Sequence, residues 1–201
     1  METVSFLTTA QIVEVISAFH DALEAHKESI NRLNVYPVPD GDTGTNMFLT
    51  VASVLEEMRP ADLNDREAVC AAMSHGSLMG ARGNSGVILS QVLRGMSSGF
   101  VKAKDIDAEV LASALTEASV AADSAVMKPV EGTILTVVRE VARAAQEAAE
   151  TDSIVPTIEA ALREGEAALE RTPEQLSVLK EAGVVDAGGA GFLLLLHGIL
   201  R

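Results

Sequence analysis

Apolar residues return at intervals of three and four along almost the whole chain, and no sustained period-two run bounded by hairpin turns occurs. A helix buries one face with that period and a strand does not, so the spacing predicts an all-α fold. The first stripe reads Ile12, Ile16, Phe19, Leu23, Ile30 and Leu33, and opens at Thr8 with Gln11 three residues on, a capping-box pair. Further stripes carry Met47, Val51, Val54 and Met58 as far as Pro60, then Val69 and Met73 in a short helix from about Arg66. Leu89, Val92 and Met96 follow, with Asn84 or Ser85 expected as the N-cap. Residues 107–125 and 132–150 read as two amphipathic helices, and Ile158, Leu162 and Leu169 mark a seventh. Thr172-Pro173-Glu174-Gln175 reads as the cap and first turn of an eighth, and a last apolar helix is expected after Gly191. The six prolines, at 37, 39, 60, 129, 156 and 173, are read as lying between or at the starts of these segments. The expected architecture is one domain over residues 1–201, a bundle of about eight helices.

Composition agrees with this and narrows the function. Hydrophobic residues make up 48% of the 201 residues while aromatics are only 3%, so the core must be built from Ala, Val, Leu, Ile and Met. Against 29 acidic residues stand 15 basic ones, a net charge of −14, which is the wrong sign for binding nucleic acid or an anionic membrane. The single Cys70 can form neither an internal disulfide nor a thiolate metal site, and is read as a small buried hydrophobe in a cytoplasmic protein. The most apolar stretch, Ala187 to Leu200, is shorter than the roughly 20 residues that span a bilayer. The chain stops at Arg201 directly after this run, with no polar tail, which suggests a domain of a longer protein. The histidines at 20, 26, 75 and 197 show no metal spacing, and His26 falls on the first apolar stripe.

Chemistry is expected in three glycine-rich loops, residues 34–46, 80–86 and 185–191, each leading into a helix. Unpaired N–H groups at helix starts attract anions, and glycine lets a ligand approach the backbone. In the first loop, Asp40-Gly41-Asp42 sets two carboxylates close together, an oxygen-donor pair suited to a hard cation. A calcium loop fails on spacing, because Gly44 and Val51 would fall at its fifth and twelfth positions. Magnesium shared with a phosphate fits better, and a tight Asp-Gly turn feeding a helix accounts for the same residues. In the second loop, Ser85 and the amides after it could cradle a phosphate beside Arg82, or simply cap a helix. The third lacks the βαβ setting and the last glycine of a dinucleotide fingerprint, and no Gly-Lys of a P-loop exists in the chain.

The run Leu33-Asn34-Val35-Tyr36-Pro37-Val38-Pro39-Asp40-Gly41-Asp42-Thr43-Gly44-Thr45-Asn46-Met47 resembles the nucleotide-binding loop of the DhaL (DAK2) family. Gly80-Ala81-Arg82-Gly83-Asn84-Ser85-Gly86 and Leu179 through Gly189 match the same family, most closely its fatty acid kinase (FakA-type) branch. The resemblance implies a barrel of about eight antiparallel helices with ATP and two Mg²⁺ held by the loops at one end. It implies that Asp40 and Asp42 are the catalytic, metal-binding aspartates, with Asn34 nearest to a third, an amide oxygen in place of a carboxylate. Thr43, Thr45 and Asn46 match nucleotide contacts, and Asn84, Ser85 and Gly86 match the phosphate loop. Gly132 and Thr133 are expected near the base or ribose, Asp186 and Gly188 match an Asp-Pro-Gly cap, and Arg171 aligns with a nucleotide-contacting arginine.

The activity implied is phosphoryl transfer from ATP to the carboxylate of a fatty acid held by a separate FakB-type (DegV-like) binding protein, giving an acyl phosphate. An ionised carboxylate needs no general base, so positioning and Mg²⁺ could suffice. Family members carry further domains, through which a homodimer could form, so this chain is expected to bind MgATP and to transfer phosphate poorly alone. Three other readings stay open at this point: an L subunit of the dihydroxyacetone kinase type with ADP as phosphoryl relay, a noncatalytic helical interaction domain, and a metal-dependent phosphohydrolase.

Overall fold

Every apolar stripe becomes a helix in the computed structural model, which describes residues 5–149 and 153–200. The order is α1 (Thr9–Leu33), α2 (Thr43–Met58), α3 (Arg66–Gly80), α4 (Gly83–Lys102), α5 (Ala108–Ser124), α6 (Ile134–Ala148), α7 (Ile154–Gln175), α8 (Ser177–Ala182) and α9 (Ala187–Ile199). Thr8 caps α1 in the expected box, its hydroxyl accepting from the Gln11 amide while Gln11 Oε1 accepts from the Thr8 amide at 2.8 Å. Asp65 and Asp107 cap α3 and α5, accepting from the amides of Ala68 and Val110. Among the described residues the only β-pairing is a single bridge between Leu7 and Ile106.

The long helices pack in chain order from α1 through α7, and α9 lies between α7 and α1 to close the ring. Linkers as short as Ala81-Arg82 leave consecutive helices no choice but to run antiparallel. Among the described residues the fold is therefore an all-α barrel of eight long helices, with α8 an added short turn packed on α7. Phe19, Leu23, Met47, Leu89, Leu115, Ile158 and Phe192 fill its interior with no side chain exposed beyond 2%. Buried alanines at 108, 112, 114, 118 and 122 let α5 approach α4 closely. Cys70 is buried in α3, and burial pushes its thiol up to about 11. None of the helices is long and apolar enough to cross a membrane, among the described residues.

Four local expectations are overturned. Thr172-Pro173 does not start a helix, because α7 continues to Gln175. Pro173 has no N–H for the Leu169 carbonyl, and the Thr172 hydroxyl donates to that carbonyl instead, at 2.7 Å. Residues 187–191 are not a loop: α9 begins at Ala187, with Asp186 as its N-cap accepting from Gly189. Residues 83–86 belong to α4, whose N-cap is Arg82 rather than Asn84 or Ser85. His26 is exposed, since the buried stripe of α1 passes from Leu23 to Ile30 without it.

Candidate functional site

At one end of the barrel the N-termini of α2, α4, α6 and α9 surround a cleft of about 560 Å³. The chain has to place them together, because every second helix of an up-and-down ring starts at the same end.

The α1–α2 loop supplies the acidic wall. Gly41, at φ +68°, turns the backbone between Asp40 and Asp42 in a conformation that side chains disfavour. Buried Asn34 donates its Nδ2 to Asp40 Oδ1 at 2.6 Å and so fixes that carboxylate. Asp42 is the N-cap of α2, yet its side chain makes no cap hydrogen bond. The Thr45 amide is instead taken by Asn31 Oδ1 of α1, at 3.1 Å, and the Thr45 hydroxyl accepts from Asn31 Nδ2 at 3.0 Å. No acceptor from the described residues is spent on the amides of Thr43 and Gly44.

The start of α4 lies against that of α2. Gly83 adopts φ +58°, and a Cβ there would sit 2.3 Å from Asn46 Nδ2, so only glycine lets the two ends come this close. Thr50 of α2 holds the linker, its hydroxyl accepting from the Arg82 amide at 3.2 Å. The α4 N-cap side chain also makes no cap hydrogen bond, and the amides of Gly83, Asn84 and Ser85 have no acceptor among the described residues.

The opposite wall is finished differently. Asp186, only 6% exposed, accepts from the Gly189 amide at 2.7 Å, and the nearby amides of Gly188 and, from α6, Ile134 also favour its charge. Its own amide donates to Thr172 Oγ1 at 3.1 Å, so α6, α7 and α9 are all fastened to one residue. Burial pushes the Asp186 carboxyl up to about 6, against the opposing pull of those amides. The linker 125–133 closes this side with Met127, Lys128 and Val130. It is pinned where it joins α6: Thr136 Oγ1 accepts from the Gly132 amide and donates to Glu131, which also pairs with Arg139. Those two hydrogen bonds, the Arg139 one first, hold the Glu131 carboxyl below its usual range.

Of the residues singled out from sequence, Asn34, Asp40, Asp42, Thr43, Asn46, Asn84, Ser85, Thr133, Asp186 and Gly188 all line the cleft. Thr45, Arg82, Gly86, Gly132 and Arg171 do not. Thr45 is turned to Asn31; Gly86 packs where a Cβ would meet Thr50 Oγ1 at 2.5 Å, with its amide spent on Arg82 O; Arg171 pairs with Glu164 at 2.8 Å. Sequence reasoning missed Met127, Lys128 and Val130, which stand in a linker marked by Pro129 and Gly132 but with no ligand-binding motif, and Asn31, whose partner lies fourteen residues away.

Among the described residues no group of three or more His, Cys, Asp or Glu could hold a metal by itself. Asp40 and Asp42 suit Mg²⁺ in its usual mode, in which one or two carboxylates are joined by water and ligand oxygens.

The chain is 50% identical to protein YloV of Bacillus subtilis over 188 residues, 93% of the chain and 34% of YloV. It is 48% identical over 180 residues to the uncharacterized protein SH1689 of Staphylococcus haemolyticus, 89% of the chain and 33% of that protein. The chain thus spans about a third of the length of these curated relatives. Among solved structures, the dihydroxyacetone kinase of C. freundii in complex with AMP-PNP and Mg²⁺ has the same fold, with a TM-score of 0.71 at 15% identity, over 97% of this chain and 34% of that one. The family model for the DAK2 domain matches residues 37–201, and the chain belongs to that family.

Proposed function

We propose that this domain binds ATP with Mg²⁺ in the cleft and serves as the nucleotide-binding part of a kinase that phosphorylates the carboxylate of a fatty acid. The observation that carries the reading is the pair of uncapped helix ends beside two carboxylates. The open amides of Thr43, Gly83, Asn84 and Ser85 in the cleft lining suit phosphate oxygens, and Asp40 and Asp42 suit a cation shared with them. Asn34 keeps Asp40 in place, and rotation of its amide would offer an oxygen as a further ligand. One or two Mg²⁺ would neutralise charge on the transferring phosphate. The crystallisation of a like-folded kinase with AMP-PNP and Mg²⁺ supports the same assignment.

The acceptor is inferred from what the cleft lacks and what surrounds it. No histidine lines it, so a nucleophile needing a general base is poorly served, whereas a carboxylate is ionised at neutral pH. One carboxylate oxygen bonds the γ-phosphorus as the bond to the β-phosphate oxygen breaks, giving acyl phosphate and ADP. Exposed Val38, Val87 and Met127 at the mouth suit an acceptor with an apolar body, presented by a FakB-type fatty-acid-binding protein. With about a third of its relatives' length, this chain is expected to bind nucleotide and to turn over slowly by itself.

Calorimetric titration of ATP with and without Mg²⁺, on the wild type and on the double substitution Asp40→Ala with Asp42→Ala, tests the reading. Expected is Mg²⁺-dependent binding in the wild type that disappears in the double variant. Binding indifferent to Mg²⁺ or to both substitutions would overturn it.

A further inference from the structure

We infer that Asp186 is a specificity-determining residue: it closes the α6/α9 half of the cleft to anions, so that a polyphosphate can seat only at the α2/α4 half. The inference rests on the nucleotide reading above and goes beyond it, because it assigns Asp186 a role in excluding phosphate rather than in holding it.

A helix N-terminus carries the equivalent of about half a positive charge, so two of them together offer about one. At α6 and α9 that charge meets a fixed carboxylate, which takes the Gly189 amide at 2.7 Å and lies close enough to the amides of Ile134 and Gly188 to be favoured by them. The carboxylate has no room to turn away. It is nine-tenths buried, its backbone amide is held by Thr172 Oγ1 of α7, and Gly188 packs beside it against Ile134. An anion entering this half would face that fixed negative charge in a low-dielectric wall, with Lys128 of the 125–133 linker the cation on that side. At α2 and α4 no buried carboxylate is set into the helix ends: the N-cap side chains, like Thr133 at α6, make no cap hydrogen bond, and five amides remain without an acceptor among the described residues. Asp40 and Asp42 do not close that half in the same way, since they stand at the open mouth of the cleft and can share a cation with the ligand. The carboxyl of Asp186, at about 6, is largely ionised at pH 7.5, where the test is run.

The test compares MgADP with magnesium pyrophosphate, a ligand that is all phosphate and has no uncharged end to orient it. Titrations use the wild type, Asp186→Asn, which keeps an acceptor for Gly189 without the charge, and Asp186→Ser, a good cap that is also neutral. Expected is that both variants bind pyrophosphate roughly tenfold more tightly while ADP affinity moves less, so that the preference for ADP falls. A merely structural Asp186 would instead weaken both ligands together, and that result, or an unchanged preference, overturns the inference. A second measurement needs no variant: in ¹⁵N-labelled wild type, pyrophosphate should shift the amide signals of Thr43, Gly44, Gly83, Asn84 and Ser85 and leave Ile134, Gly188 and Gly189 in place. Shifts at the latter three overturn the inference while leaving the nucleotide reading standing. Failure of the wild type to bind MgADP at all overturns both.

Discussion

On one side of the cleft α2 and α4 begin with N-cap side chains that make no cap hydrogen bond, and five amides stay open; on the other, a single buried aspartate caps α9 and faces the start of α6. Both sides are made from the same part, the start of a helix, whose donors have to be satisfied by something. Where the protein satisfies them itself, the helix end adds to stability; where it leaves them, the end is available to a ligand. The same division appears in the side chains around them. Asp186 and Thr172 are buried and tie three helices together, whereas Asp40, Asn84 and Gly83 are exposed and tie down little. Substitutions on the open side should therefore cost affinity, and substitutions on the capped side should cost stability.

The largest effect expected is on the open side. Replacing Asp40 and Asp42 together by alanine should weaken Mg²⁺-dependent nucleotide binding at least about a hundredfold, the loss of two charged metal ligands. Unfolding of the same variant in urea should change by no more than about 1–2 kcal/mol, the cost of leaving Asn34 Nδ2 without Asp40, because neither side chain caps a helix or fills the core. A large loss of stability in that variant would break the comparison.

Thr172→Val probes the capped side. The hydroxyl donates to the Leu169 carbonyl, which Pro173 cannot serve, and accepts the Asp186 amide; valine of nearly the same shape leaves both buried groups unmet. The expected cost is about 2–4 kcal/mol, a fall in Tm of roughly 5–15 °C for a chain of this size. In differential scanning calorimetry a change near zero would mean that these bonds do not hold the two helix ends together.

Acidity separates charge from capping at Asp186. Its carboxyl is raised to about 6 in the folded chain from an ordinary 3.8, so between those values the folded protein binds a proton that the unfolded chain has released. Ionisation of this group therefore costs stability above pH 6, up to about 3 kcal/mol, and the cost fades as the pH falls toward 4. Asp186→Asn has no such dependence. Urea unfolding of wild type and variant should show the variant gaining on the wild type as the pH rises from 4 to 7, and parallel pH profiles would remove the buried charge from the account.

How much of this was legible in the sequence follows the range of the interactions involved. The capping box at Thr8 and Gln11 and the apolar stripes are local, and each formed the helix it predicted. The start of α9 was misplaced because its glycines read as a loop, whereas their small size lets the helix pack against Ile134 and Val137. Pro173 read as a helix start because only the structure shows Thr172 replacing the missing N–H. At the site, Asp40-Gly41-Asp42 is a contiguous motif and was found. Lys128 and Met127 gained a place in the cleft only through the path of the α5–α6 linker, and Thr45 lost its place to Asn31 on another helix.

Arg171 gives the smallest effect and the sharpest separation of position from resemblance. Alignment with a nucleotide-contacting arginine would make its loss costly to binding, but the side chain lies outside the cleft lining, half-exposed on α7, where it pairs with Glu164 at 2.8 Å. Glu164 also faces Arg143 at 3.7 Å, so it keeps a cationic neighbour when Arg171 is removed. An exposed pair of this kind contributes about 0–1 kcal/mol. Arg171→Ala should therefore leave the affinity for MgADP within about twofold, less than 0.5 kcal/mol on the binding scale, and unfolding nearly unchanged. A tenfold loss of affinity with normal stability would place Arg171 in the binding machinery after all, reached by a movement of α7 against α9 on nucleotide binding, and would mean that the capped half of the cleft is less fixed than its hydrogen bonds indicate.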